Sequence, residues 1–186
     1  MSSRIAHIAR RLPAVIGLLG FVLVAASMVR AAEPRVVVLP TTGIVDQVMA
    51  GYLRDRVADA AASGASAVVV RLDTPGGSLE ATRSIVGTLL DAPLPVVVWV
   101  APSGARAASA GTFITLSANL AYMAPGTNIG AASPVGGQGE DIGGTLGEKV
   151  MNDAIALMTS IAQARGRDVA ASVDTVKNAT SYTAQR

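Results

Sequence analysis

The chain has 186 residues, with 15 Lys and Arg against 13 Asp and Glu, one His and no Cys. That length holds one compact α/β domain plus an export segment, and without cysteine no disulfide can brace it, so stability rests on core packing. No cluster of His and Cys ligands and no basic stretch interleaved with aromatics is present, which argues against a metal centre, a cofactor site of that kind or a nucleic-acid partner.

The first 31 residues carry Arg4, Arg10, Arg11 and the lone His7, then an uncharged stretch from Leu12 to Val29, then Arg30-Ala31. A basic start, an apolar core and a small residue at a cleavage point form the pattern of a secretory signal. Cleavage after Ala31 places Val29 and Ala31 at the two selective positions. The apolar stretch is also about long enough to remain as a membrane anchor, and the cleaved leader is the favoured reading. Removing residues 1–31, with four arginines and no acid, leaves 11 basic against 13 acidic residues, a net charge of −2.

Residues 35–40 read as a first buried strand. A helix follows, with Val48, Met49, Tyr52, Leu53 and Val57 on one side, and Ser63-Gly64 ends it. Ala67 to Leu72 is a second apolar strand running into Asp73-Thr74-Pro75-Gly76-Gly77. Ser78 then caps a helix whose apolar side holds Leu79, Ile85, Val86, Leu89 and Leu90. A third strand at 95–100 follows Pro93. A helix is expected from about Ala107 to Ser117, then a short strand from Leu120 to Met123 and a turn-rich Pro125 to Gly130. Residues 134–147 are rich in glycine and read as a mobile loop. From Glu148 the helical period returns through Val150, Met151, Ile155, Met158 and Ile161 until Gly166. The chain ends on the polar stretch from Thr180 to Arg186, with no closing strand after it.

Strands alternating with helices predict parallel βαβ units with both sheet faces covered. Ligands bind such sheets beyond the carboxyl ends of the strands. The Asp73–Gly77 and Ser103–Ser109 turns should both lie there, as neighbours in space.

Ser109, in Ala107-Ala108-Ser109-Ala110-Gly111-Thr112, is the candidate nucleophile. With the only His inside the leader, a Ser-His-Asp triad is excluded from the processed chain. The base would be a lysine, and only Lys149 and Lys177 exist. A lysine accepts a proton only when neutral, which burial or a nearby positive charge favours. Lys149, near a helix start after the glycine-rich loop, is the better placed; burial and the helix dipole would both act there. Lys177 looks like a surface residue. The N–H groups of Gly77 and Ala110 could receive the negative charge that develops on a carbonyl oxygen. Taken one at a time, each signal also has a bland reading: close helix packing, a plain turn, a solvated lysine.

Three blocks, Asp73–Gly77, Ala101–Thr112 and Met123–Ala132, together resemble the NfeD-type, ClpP-class membrane-bound serine proteases. Gly147-Glu148-Lys149-Val150, Asn152-Asp153 and Ala164-Arg165-Gly166-Arg167 extend the resemblance to residues 35–186. It implies a ClpP/crotonase-like spiral of βαβ units and a Ser-Lys dyad, with Ser109 as nucleophile, Lys149 as base, Gly77 and Ala110 as the oxyanion hole, and Gly76 and Gly104 in substrate binding. It further implies an exported, membrane-associated endopeptidase acting on apolar segments of stomatin-like proteins, as a homo-oligomer. Family members usually continue past Thr183-Ala184 through a closing strand, transmembrane helices and a small β-barrel, so the chain is expected to be the protease half alone. The rival readings are a non-catalytic module acting as a membrane-associated partner, a crotonase-like acyl-thioester enzyme, and a Ser-Lys peptidase that digests signal peptides.

Overall fold

The computed structural model describes residues 33–185, so the expected leader lies outside the described residues. Four parallel strands, β1 (Val36–Thr42), β2 (Ala67–Asp73), β3 (Val96–Val100) and β5 (Leu120–Met123), form one sheet in the order β1-β2-β3-β5. Helices α1 (Gln47–Ala62), α2 (Leu79–Leu90) and α3 (Ala110–Ser117) make the crossovers. A second sheet joins three short strands, β4 (Arg106–Ala108), β6 (Asn128–Gly130) and β7 (Ser181–Thr183), in the order β4-β6-β7. Two further helices, α4 (Gly144–Arg165) and α5 (Val169–Lys177), complete the fold.

Helix ends follow local chemistry. Asp46 caps α1 by accepting from the Met49 N–H, Ser78 caps α2 through Ala81, and Asp168 caps α5 through Ala171. Each such cap is worth about 1 kcal/mol. Gly166 closes α4 in the left-handed conformation at φ 62°, where a glycine carries no Cβ penalty.

One face of the larger sheet is fully dry. Val68, Val70, Leu72, Val96, Val98 and Val100 are all buried against Leu53, Ile85, Leu89 and Ile114 of the helices. The opposite face breaks the expectation that both faces are covered. Along it Val36, Val38, Trp99, Leu120 and Tyr122 are exposed. The apolar runs in β2 and β3 suggested double coverage, but all three crossover helices pack on the same side.

Other elements shift as well. The helix expected from Ala107 starts at Ala110, because residues 106–108 are strand β4. Part of the turn-rich segment before Ala131 is strand β6, and the last polar stretch holds β7, antiparallel to β6. Helix α4 begins at Gly144, inside the predicted loop, which is therefore shorter. On α1 the buried side is Ala50, Leu53, Val57 and Ala60, and Val48 faces out. Among the described residues, no helix is long and apolar enough to cross a membrane.

Candidate active site

The two turns expected to be neighbours are joined by backbone hydrogen bonds. Thr74 N–H donates to the Arg106 carbonyl at 2.8 Å, and Ala108 N–H returns to the Thr74 carbonyl at 3.1 Å. Asp73 adds a carboxylate oxygen that accepts from Arg106 N–H at 3.1 Å. This stitching carries the end of β2 against the end of β4, and the next residue after β4 is Ser109.

Ser109 is the single residue between strand β4 and helix α3, with φ 51° and ψ −115°. A non-glycine residue there costs on the order of 1–3 kcal/mol and persists only where its surroundings hold it. The hold comes from two bonds: Ser109 N–H donates to the Gly130 carbonyl at 2.9 Å, and the Ser109 carbonyl accepts from Thr112 N–H at 2.9 Å. Although Ser109 occupies the N-cap position of α3, its side chain makes no capping bond. The hydroxyl is left for other work.

A cavity of about 780 Å³ opens over it, lined among others by Gly77, Ser109, Ala110, Phe113, Val135 and Val150. The other hydroxyls on its wall are committed. Thr82 donates to the Ser78 carbonyl at 2.7 Å, Ser133 to the Val176 carbonyl at 2.5 Å, and Ser78 accepts from Ala81 N–H at 3.3 Å. Among the described residues, Ser109 is the cavity hydroxyl that takes part in no hydrogen bond.

Ala110 is the first residue of α3, so its N–H has no acceptor within the helix. Gly77 faces the same cavity from the loop after β2, and no acceptor for its N–H occurs among the described residues. Glycine is required on this loop by space. A Cβ at Gly76, at φ +115°, would stand 2.7 Å from the Ser109 Cβ, and one at Gly77 would run into the Val45 carbonyl oxygen. Gly76 thus lies directly against the serine, while its carbonyl accepts from Val45 N–H at 2.9 Å.

Two expected site residues stand apart. Lys149 lies in the second turn of α4, exposed, and is not part of the cavity wall, although its neighbour Val150 is. The burial expected for it is not found: its side chain is exposed on α4. Gly104, at φ +86°, sits in the turn closed by Ala105 N–H on the Pro102 carbonyl and is likewise outside the wall. Lys177 is exposed in the last turn of α5.

Thr112, three residues after the serine, carries a role that its local sequence does not announce. Its buried hydroxyl oxygen accepts from Gly130 N–H at 3.0 Å, and the carbonyls of Ala107 and Gly130 each lie 3.0 Å away to receive its proton. It therefore locks β6 to the start of α3. The available signal was a threonine one turn after a serine in an Ala/Gly run.

Residues 35–184 match the family model described as the N-terminal domain of NfeD1b. The membrane-bound protease PH1510 of Pyrococcus horikoshii is 44% identical over 107 residues, covering 56% of this chain and 24% of that protein. The chain thus spans about a quarter of that relative's length. A lysine-to-alanine mutant of the 1510-N membrane-bound stomatin-specific protease, solved in complex with a substrate peptide, superimposes with a TM-score of 0.75 at 32% identity, over 83% of this chain and 71% of that one. ClpP1 from Listeria monocytogenes shares the fold, with a TM-score of 0.63 at 18% identity over 80% of this chain and 83% of its own.

Proposed function

The chain belongs to the NfeD1b N-terminal domain family, and we propose that it is an exported serine endopeptidase of the Ser-Lys type. The observation that carries this is the strained, uncommitted Ser109 facing a cavity beside the Gly77 and Ala110 amides. Ser109 Oγ attacks the scissile carbonyl carbon, and its proton passes to the amine of Lys149. Gly77 and Ala110 N–H groups receive the charge that builds on the carbonyl oxygen, where a preset donor is worth about 3 kcal/mol of barrier. The lysine ammonium then protonates the leaving amine, leaving an acyl-serine that water hydrolyses.

Lys149 directly precedes the wall residue Val150 and takes this role when an extended peptide fills the cavity. Apolar peptide segments suit a wall built from Leu79, Phe113, Val135, Ile142 and Val150. The stomatin-specific relative supports a membrane-associated, stomatin-like protein as the substrate, met on the extracytoplasmic side of the membrane.

Labelling of the full chain with a fluorophosphonate probe tests the reading. Wild type should label at Ser109, Ser109→Ala not at all, and Lys149→Ala at least tenfold more slowly, each with an unchanged circular dichroism spectrum. A tenfold slowing corresponds to about 1.4 kcal/mol. Unimpaired labelling of Lys149→Ala would remove lysine from the mechanism. No labelling of wild type would favour the non-catalytic reading.

A further inference from the structure

We propose that the uncovered face of the larger sheet rests on an anionic lipid surface. Parallel register sets Val38, Val69, Val97 and Leu120 in one row across the four strands, and Pro40, Arg71, Trp99 and Tyr122 in the next. Val36 and Val38 are 52% and 53% exposed, Trp99 41%, Leu120 51% and Tyr122 57%. A contiguous apolar patch of this kind marks an interaction surface.

Its chemistry selects the partner. Trp and Tyr are the side chains that favour the level of lipid headgroups, with an apolar body and a polar tip. The cation in the patch is Arg71, exposed and in no ion pair among the described residues. The acid on the same face is Asp73, half-buried at the strand end, with one carboxylate oxygen on Arg106 N–H. Against a second copy of the same face, Arg71 would lose its water and find at most the remaining oxygen of the half-buried Asp73, whose other oxygen is held by Arg106 N–H, a costly exchange. Against phosphate headgroups it is matched.

Chain length agrees. The uncharged stretch Leu12–Val29 ends six residues before β1. Six residues span at most about 20 Å, so a leader retained as an anchor, the alternative to cleavage, would hold β1 within that distance of the bilayer.

Trp99 is the chain's single tryptophan, so its fluorescence reports on this face alone. The full chain is reconstituted into phosphatidylcholine vesicles containing phosphatidylglycerol. Trp99 emission should move to shorter wavelength and be quenched by bromine-labelled lipid. Val38→Asp with Leu120→Asp should lose that quenching while the circular dichroism spectrum holds. Arg71→Glu should lose its dependence on phosphatidylglycerol. Emission unshifted and quenched by aqueous iodide in the vesicles overturns the proposal. So does a blue shift without lipid: one that grows with protein concentration assigns the face to a second copy, and a concentration-independent one to residues 12–29.

Discussion

Replacing Thr112 by Val keeps the shape of a fully buried side chain and removes its hydroxyl, which isolates the hydrogen-bonding role. The Gly130 N–H loses its acceptor 3.0 Å away, and the Ala107 and Gly130 carbonyls lose a donor. The Gly130 carbonyl keeps its bond from Ser109 N–H, so the main cost is one stranded amide. An unsatisfied buried donor costs about 1–3 kcal/mol. At 2–4 °C per kcal/mol for a domain of this size, the melting temperature should fall by roughly 4–8 °C for a loss near 2 kcal/mol. The same bond network holds Ser109 in its strained conformation, so fluorophosphonate labelling should slow more than stability alone explains at a temperature where both proteins are folded. Thr112→Ser, which restores the hydroxyl, should recover most of both losses. Urea denaturation and labelling rates for the three proteins decide the matter. A Val variant as stable and as reactive as wild type would refute the locking role.

Gly76→Ala sets a methyl 2.7 Å from the Ser109 Cβ at a backbone angle, φ +115°, that alanine resists. Labelling at Ser109 should drop by at least tenfold, about 1.4 kcal/mol, with helix content retained; labelling at the wild-type rate would contradict the close approach. Asp174 has a carboxyl held below its ordinary range by hydrogen bonding from Thr180, Asn178 and then Tyr182, with desolvation opposing. A depressed folded-state value means its stabilisation is complete above the ordinary carboxylate range, near 4, and disappears as pH falls through the lower value. Asp174→Asn should therefore flatten the acid limb of stability against pH, measured by denaturation midpoints from pH 3 to 7. Parallel curves for the two proteins would show that the carboxylate contributes nothing.

What the sequence disclosed follows from the strength of its local signals. Strands β1, β2 and β3 each contain three consecutive valines, and Ser78 before an amphipathic stretch marks α2. Strand β4 was hidden because Arg106-Ala107-Ala108 leads into a helix, and alanine favours helix wherever tertiary structure does not intervene. Here it does, through the Thr74 pairing on one side and β6 on the other. Strands β6 and β7 are three residues each, stable only because they pair with one another and with β4. The serine and its loop glycine follow strand ends and Ala110 opens the next helix, so the three could be read together from the strand-to-helix pattern. Lys149 was legible as a residue type, but its exposed position depends on how the segment before α4 runs, which no period encodes.

The short second sheet explains why the far end of the domain matters to the serine. Strand β7 pairs with β6 through Ser181 opposite Gly130, and the Gly130 carbonyl is the acceptor that holds the Ser109 N–H. A Cβ at Gly130 would run into the Thr180 carbonyl oxygen, so the backbone before β7 lies close against β6. Tyr182 O–H of β7 donates to the Asp174 carboxylate at 3.3 Å, tying β7 back to α5. Helix α5 in turn packs on α4 through Val176, Met158 and Ile161, the helix that carries Lys149. Nucleophile and proposed base are therefore linked through β6, β7, α5 and α4 in sequence, although they do not touch. Loosening β7 should relax both ends of that chain of contacts, so labelling of Ser109 in Asp174→Asn should weaken together with stability.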